Sequence, residues 1–350
     1  MTIVLAAGDR FIRPRLFRDH VLAQAGDLVD EVRDLELPWP DVPFGRVGDV
    51  DEASSDEETI IAALDGADAL VTQLAPVTDR VLAATPSLRF IGVSRGGPTN
   101  IDLSAAERRG VLVCNVPGRN GVATAEMSLG LMLAVLRRIP LTQRTLESGR
   151  WEGRFYRDDQ VGLEIDGAVV GVLGAGAVGR RVASVVAAMG GRVLVYDPYL
   201  PSGALPDAEI VDDVDDLFRR SDILTVHARL NADTAGVVSA ERIALMPRGA
   251  HIVNAARGGL VDYAAVAAAL ASGQLAGAAF DVFPSEPVDF SHPIFAASAA
   301  GHNVVMTPHI AGASRQTAER AAAGVAEELG RVLRGEPVRH ALTGVSARSR

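Results

Sequence analysis

Short apolar runs rich in β-branched residues recur along the first third of the chain, at TIVLAA, ADALVT, LRFIGV and VLVCNV, with helix-like or turn-like stretches between them. Runs of this length bounded by turn signals read as buried strands. Together they predict a first open α/β domain. Residues 30–58 break the rhythm: they are acidic and contain LPWPDVPFG, which predicts an irregular surface excursion. From about Thr124 to Leu146 the pattern turns helical, and ATAEMSLGLMLAVLRRI is apolar over much of its circumference, as expected of a helix covered by another domain or subunit. The aromatic and basic SGRWEGRFYRD that follows reads either as part of a dimer surface or as a packed connection.

The strongest local pattern comes next. AVVGVLGAGAVGRRVASVVAAMGGRVLVYDP orders an apolar strand, a glycine turn, an amphipathic helix and a second apolar strand, the arrangement of a mononucleotide-binding unit. Gly174, Gly176 and Gly179 fit G-x-G-x-x-G. The first permits the tight turn, the second lets a phosphate approach the backbone, and the third allows the helix to pack closely on the strand. Ala177 and Val178 complete the predicted cofactor turn. Asp197 ends the second strand, 18 residues after Gly179, where a carboxylate accepts hydrogen bonds from ribose hydroxyls and repels the extra phosphate of NADP. Pro198 and Tyr199 supply no compensating cation, so NAD is the expected cofactor. Further strand-like runs at DILTVHA, AHIVNAAR, AGAAFDVF and HNVVMTPHI extend this second domain to about residue 309. The final helix, SRQTAERAAAGVAEELGRVLRG, is too short for a third domain and is expected to cross back to the first.

Composition narrows the chemistry. The 350 residues suffice for two domains of ordinary size. All 34 basic residues are arginine. With no lysine, a Schiff-base lysine, a P-loop lysine and the Tyr/Lys pair of many short-chain dehydrogenases are excluded, and fixed positive charge must come from Arg, protonated His, a cofactor or a metal. The net charge of -10 argues against nucleic acid as a partner. The single cysteine, Cys114, excludes an intramolecular disulfide and a thiolate cluster, and its apolar surroundings predict a buried hydrophobe. No signal peptide is evident in MTIVLAAGDR and no apolar run reaches membrane-spanning length, so the expected location is cytoplasmic, with no membrane partner. His20, His251, His292, His302 and His340 form no compact metal signature, and no metal is expected.

The ordered set LGAGAVG, VYDP, NAARGGLVD, FDVFPSEPV and TPHIAG resembles the D-isomer-specific 2-hydroxyacid dehydrogenases, including the phosphoglycerate, glycerate and D-lactate dehydrogenases, over nearly the whole chain. The resemblance implies two Rossmann-like open parallel-sheet domains. One is a discontinuous, flavodoxin-like substrate domain of residues 1–118 and 310–350, and the other an NAD-binding domain of residues 119–309. It also implies a homodimer. Arg257 matches the family's substrate-binding arginine, whose planar fork grips the carboxylate and stabilises charge on the C2 oxygen. His309 matches the acid/base histidine, and Glu286 its acidic partner, which orients the ring and favours its protonated form. Asp281 is placed to meet the nicotinamide carboxamide, and backbone groups near Ala255 and Ala256 to line its ring. His227, in VHARL, reads equally as a cofactor-loop contact or as structural packing; the family often has Pro where this chain has Ala228.

Substrate choice is less determined. In GVSRGGPTNID, the backbone N–H groups of Gly96 and Gly97 are positioned to bind the substrate carboxylate, and Arg95 to meet a second anionic or polar end, unless it pairs locally. Arg119 adds charge nearby. These arginines favour a small, phosphorylated or dicarboxylic 2-hydroxy or 2-keto acid; the alternatives are a glyoxylate/hydroxypyruvate reductase and, in another class, an NAD-sensing interaction protein of the corepressor type. The short ALTGVSARSR tail leaves no room for a C-terminal regulatory domain of the kind found in some phosphoglycerate dehydrogenases.

Overall fold

A computed structural model describes residues 1–39, 45–201 and 203–345. The chain divides into two compact units, Met1–Asn120 with Ala313–Arg350, and Gly121–Gly312. In the first unit the elements run β1 (Ile3–Gly8), α1 (Pro14–Ala25), β2 (Glu31–Glu36), α2 (Glu57–Ala63), β3 (Ala69–Thr72), α3 (Asp79–Ala84), β4 (Phe90–Val93), α4 (Leu103–Arg108) and β5 (Leu112–Asn115). The strands form one parallel sheet in the order β2-β1-β3-β4-β5. Both faces are covered, which is why the strands read as continuous apolar runs. Along β1, Ile3, Leu5 and Ala7 join the core under α2, α3 and α4, while Val4 and Ala6 face the other way.

The second unit holds α5 (Gly121–Leu136), α6 (Ile139–Glu147), β6 (Val169–Leu173), α7 (Ala177–Ala188), β7 (Arg192–Tyr196), β8 (Ala208–Ile210), α8 (Val214–Arg220), β9 (Ile223–Val226), α9 (Ala240–Leu245), β10 (Ala250–Asn254), α10 (Tyr263–Ser272), β11 (Leu275–Phe280), α11 (Pro293–Ala299) and β12 (Val304–Met306). Its parallel sheet has the order β12-β11-β10-β9-β6-β7-β8. The chain winds outward from β6 to one side, then returns to β9 on the other. That reversal creates a crevice beyond the carboxyl ends of β6 and β9, the general ligand site of open α/β sheets. Helices α5 and α7 cover one face, and α8 to α11 the other.

The last helix, α12 (Arg315–Leu333), returns to the first unit and makes it discontinuous. Its stripe of Ala318, Ala321, Ala322, Val325, Ala326 and Leu329 packs with Phe17 and Val21 of α1 on the open face of the first sheet. Small residues on that stripe let the helix lie close to the strands; each fully buried Val or Leu there contributes about 1.5–3 kcal/mol. Cys114 is buried in the same core, and burial, with the charge of Glu328 second, pushes its thiol up to about 12.

Two expectations are corrected. Residues 31–36, assigned to an irregular excursion, form the edge strand β2. Its exposed, charged EVRDLE pattern hides a strand whose stability comes from register with β1, Ile3 opposite Glu31 through Gly8 opposite Glu36. Residues 40–44 of that excursion lie outside the described residues. The helix expected from Thr124 to Leu146 is two helices, because Arg138 adopts φ 54° and a new helix begins at Ile139 with Pro140 in its first turn. Among the described residues no helix is long and apolar enough to cross a membrane.

Candidate active site

The glycine turn between β6 and α7 has three different environments. A Cβ on Gly174, at φ +92°, would lie 2.7 Å from the Ala228 nitrogen, so β6 and the loop after β9 meet backbone to backbone. A Cβ on Gly179 would lie 2.0 Å from the Gly174 oxygen, which holds α7 against the turn. Among the described residues nothing lies within 4 Å of a Cβ at Gly176, and this residue caps α7 without a side-chain hydrogen bond. By contrast, Asp56, Thr78, Asp102, Asp213, Ser239, Asp262 and Ser314 cap their helices with side-chain oxygens. The first N–H groups of α7, at Ala177 and Val178, are left for an anionic ligand, and the open space at Gly176 lets it approach. These residues therefore fit a dinucleotide pyrophosphate.

Asp197 stands just past β7, its Oδ2 accepting from the Ala175 N–H at 2.8 Å and its Oδ1 from the Tyr199 N–H at 3.0 Å. Each oxygen keeps a lone pair for a ribose hydroxyl. His227 follows β9, with Nε2 2.9 Å from the Thr225 hydroxyl, and burial lowers its pKa to about 4. It is a neutral ring held by its own strand.

Arg257, Glu286 and His309 come together in the second unit from the ends of β10, β11 and β12. His309 adopts φ 54°, its N–H donating to the Asp281 carbonyl at 2.7 Å. Its Nδ1 lies 2.5 Å from Glu286 Oε2, and Glu286 Oε1 accepts from the Phe283 N–H at 3.0 Å. The hydrogen bond to Glu286 raises the His309 pKa above its usual 6.5; burial and the Arg257 charge oppose, while the charges of Glu286 and Asp281 assist. For Glu286, burial pushes up, but the bond and charge of His309, the Phe283 N–H and Arg257 outweigh it and leave the carboxyl below its usual range. The pair thus favours imidazolium beside carboxylate.

Arg257 is exposed, with Nη1 held to the Ala256 carbonyl at 2.7 Å. Ala255 and Ala256 precede it on the same turn. That turn is pinned by Asn254, which sequence reasoning missed: its Oδ1 accepts from the Ala256 N–H and its Nδ2 donates to the Arg257 carbonyl at 2.9 Å. The Tyr263 hydroxyl, also missed, donates to the Val282 carbonyl. Both are buried polar groups at apolar element ends, a signal that they must have specific partners.

Asp281, expected to meet the nicotinamide carboxamide, is wholly buried. Its Oδ1 accepts from the Thr307 hydroxyl at 2.6 Å and the Ile310 N–H at 2.9 Å, and its Oδ2 from the Ala311 N–H at 2.7 Å. This carboxylate anchors both flanks of His309, leaving one lone pair on Oδ2 for any other donor. Among the described residues no cluster of His, Cys, Asp or Glu is arranged to hold a metal.

The remaining predicted residues lie in the first unit. Gly96 and Gly97 are exposed, and among the described residues a Cβ on Gly96 would meet only Pro117, at 4.0 Å, and one on Gly97 nothing within 4 Å. Arg95 is paired with Glu52, donating to its carboxylate and, at 3.2 Å, to its carbonyl. Burial, with the charge of Arg95 second, lowers the pKa of Arg119 to about 10 against the opposing pull of Asp9.

Comparisons with known proteins agree with this fold. A family model for the D-isomer specific 2-hydroxyacid dehydrogenase NAD binding domain matches residues 129–311. The chain is 38% identical over 296 residues to D-3-phosphoglycerate dehydrogenase of Methanocaldococcus jannaschii, covering 83% of this chain and 55% of that protein. It is 38% identical over 304 residues to the protein of the same name from Mycobacterium tuberculosis, covering 86% and 54%. The chain thus spans about half the length of the curated relatives it matches. Among solved structures, the TT0316 protein from Thermus thermophilus is 28% identical with a TM-score of 0.77, covering 98% of this chain and 100% of that one. D-2-hydroxyisocaproate dehydrogenase is 25% identical with a TM-score of 0.81, also covering 98% and 100%.

Proposed function

Because the chain belongs to the D-isomer-specific 2-hydroxyacid dehydrogenase family, with an NAD-binding Rossmann unit, we propose that it interconverts a small 2-hydroxy acid and its 2-keto acid with NAD(H). The observation that carries this reading is the 2.5 Å contact between His309 Nδ1 and Glu286 Oε2, with the Arg257 charge close enough to act on both. NADH, held at the turn of Gly174, Gly176 and Gly179 and by Asp197, would supply the hydride to C2. His309 gives the C2 oxygen its proton in reduction and removes it in oxidation; Glu286 holds the ring and stabilises the imidazolium. The Arg257 fork grips the substrate carboxylate and stabilises charge on the C2 oxygen. In the first unit, the Gly96 and Gly97 N–H groups bind carboxylate. A homodimer fits the exposed Leu133, Ile139, Leu146, Trp151 and Tyr156 along and after α5 and α6.

The test is NADH oxidation with glyoxylate, hydroxypyruvate, 3-phosphohydroxypyruvate, pyruvate and 2-ketoglutarate. Turnover with at least one is expected, faster with NADH than NADPH because of Asp197; inactivity with all five refutes the proposal. Selectivity for the phosphorylated or dicarboxylic compounds tests the multiply anionic substrate suggested by Arg95 and Arg119.

A pH profile tests the proton carrier. Reduction needs imidazolium, so with the His309 pKa raised, kcat/KM for reduction holds past pH 6.5 and falls as the pH rises through the raised value. In Glu286→Gln the charge is gone, and this alkaline limb is expected at lower pH. A limb that stays in place would remove Glu286 from its assigned role.

A further inference from the structure

A dinucleotide pyrophosphate is doubly negative, and the backbone of the turn between β6 and α7 offers little to offset it. Ala175, Ala177 and Val178 are uncharged, and the chain has no lysine to reach in from elsewhere. The N-terminus of α7 contributes only about half an elementary charge. Asp197, placed for the ribose, adds a carboxylate at the same turn, where its Oδ2 accepts from the Ala175 N–H at 2.8 Å. Phosphates held here by main-chain N–H groups alone would be under-neutralised.

Arg180 brings a full cation to this turn. It stands near the start of α7, its N–H donating to the Gly176 carbonyl at 3.1 Å. Helix side chains lean toward the helix N-terminus, and here the lean is complete: Arg180 Nε donates to the Ala175 carbonyl at 2.8 Å. The guanidinium is thereby seated at the glycine turn instead of out along the helix. Ala177, three residues earlier and exposed like Arg180, is small enough to leave that path clear. Arg181, the next residue, is also exposed, but among the described residues it makes no hydrogen bond to the turn.

The bond to Ala175 uses Nε alone, so the Nη pair keeps its donors. Among the described residues no carboxylate forms an ion pair with Arg180. Arginines on other helices of the molecule are matched, Arg80 of α3 with Glu57 and Glu58, and Arg220 of α8 with Glu209 and Asp216. Arg257, read above as the carboxylate clamp, shows the same arrangement as Arg180: one donor is held by a neighbouring carbonyl, that of Ala256, and the rest of the fork is left over. Such anchoring fixes the fork before a ligand arrives, so less freedom is lost when it binds. An Nη pair held in this way suits two phosphate oxygens.

We infer that Arg180 is a cofactor-binding residue of the second unit, its Nη pair taking the pyrophosphate of the dinucleotide while its Nε stays on the Ala175 carbonyl. This rests on the NAD-binding unit alone and is independent of the proposed turnover of a 2-keto acid. It adds to the main-chain N–H groups of Ala177 and Val178 the charge that they lack.

The test is a fluorescence titration of NADH, without keto acid, into the wild-type protein, Arg180→Gln, Arg180→Lys and Arg181→Gln. Glutamine keeps a donor for the Ala175 carbonyl but no charge; lysine keeps the charge. The expected Kd is about tenfold higher in Arg180→Gln, with most of the loss restored in Arg180→Lys and Arg181→Gln within about twofold of wild type. Added salt is expected to weaken wild-type binding more steeply than binding to Arg180→Gln, because the contact removed is a charged one. A Kd for Arg180→Gln within about twofold of wild type would leave Arg180 with its carbonyl alone and overturn the assignment. Equal losses in Arg180→Gln and Arg181→Gln would show a diffuse field in place of a seat, and overturn it as well. Arg180→Met, a second uncharged variant, takes the place of Arg180→Gln if that protein does not fold. Intact NADH binding with no turnover of any keto acid would sink the dehydrogenase reading and leave this assignment standing; a wild-type protein that binds no NADH would overturn the assignment itself.

Discussion

His309→Asn is expected to lower kcat for keto-acid reduction by about 10²–10⁴-fold, the usual worth of a positioned general acid, while NADH still binds. Asparagine is chosen because it tolerates the φ of 54° that this position requires. The loop's backbone is held by main-chain contacts and by Asp281, so the substitution removes the proposed proton carrier and its bond to Glu286 while leaving these anchors. Fluorescence titration of NADH and single-turnover rates separate the two effects. A variant that binds NADH and reduces keto acid within tenfold of the native rate would show that another group carries the proton.

Gly258→Ala is expected to be nearly as damaging without touching a reacting group. A Cβ there would lie 1.8 Å from the Phe283 carbonyl oxygen and 2.7 Å from the Pro284 nitrogen. Both neighbours are backbone, so neither can swing aside. One methyl group must therefore force apart the turn that carries Arg257 and the segment that leads to Glu286. Misplacement of reacting groups by about 1 Å costs on the order of 10²-fold, and overpacking of this kind about 1–3 kcal/mol. A fall in kcat/KM of that size, measured below the melting transition of a variant with a lowered Tm, is the expected outcome. Activity within threefold of native would mean that the two segments move independently.

The fold was legible where burial is two-sided. The apolar runs at β1, β3, β4 and β5 stand out because α12 and α1 cover one face of their sheet and α2 to α4 the other. Strand β2 was not legible, since an edge strand needs no apolar face and its charged residues are what keep it from pairing further. The break before α6 was signalled by Pro140, but the left-handed turn at Arg138 has no signature in an arginine.

The site was legible where a single segment contains its own logic, as in the turn of Gly174, Gly176 and Gly179. Glu286 and His309 are 23 residues apart, and no spacing rule joins them; only the likeness of whole motifs did. Asn254 and Gly258 escaped because their work is done on segments distant in sequence. Arg95 carried an open choice between substrate and local pairing, and its contact with the Glu52 carboxylate, 43 residues away, has no signature in the sequence.

Asp281 joins the end of β11 to Thr307, Ile310 and Ala311, and its backbone holds His309 on one side and Asn254 on the other. The histidine loop is thereby part of the same cooperative folding unit as the central strands. On heating, it has no way to fray ahead of the sheet, so the His309–Glu286 pair and the second sheet are expected to be lost in a single event, with no folded species lacking only the pair.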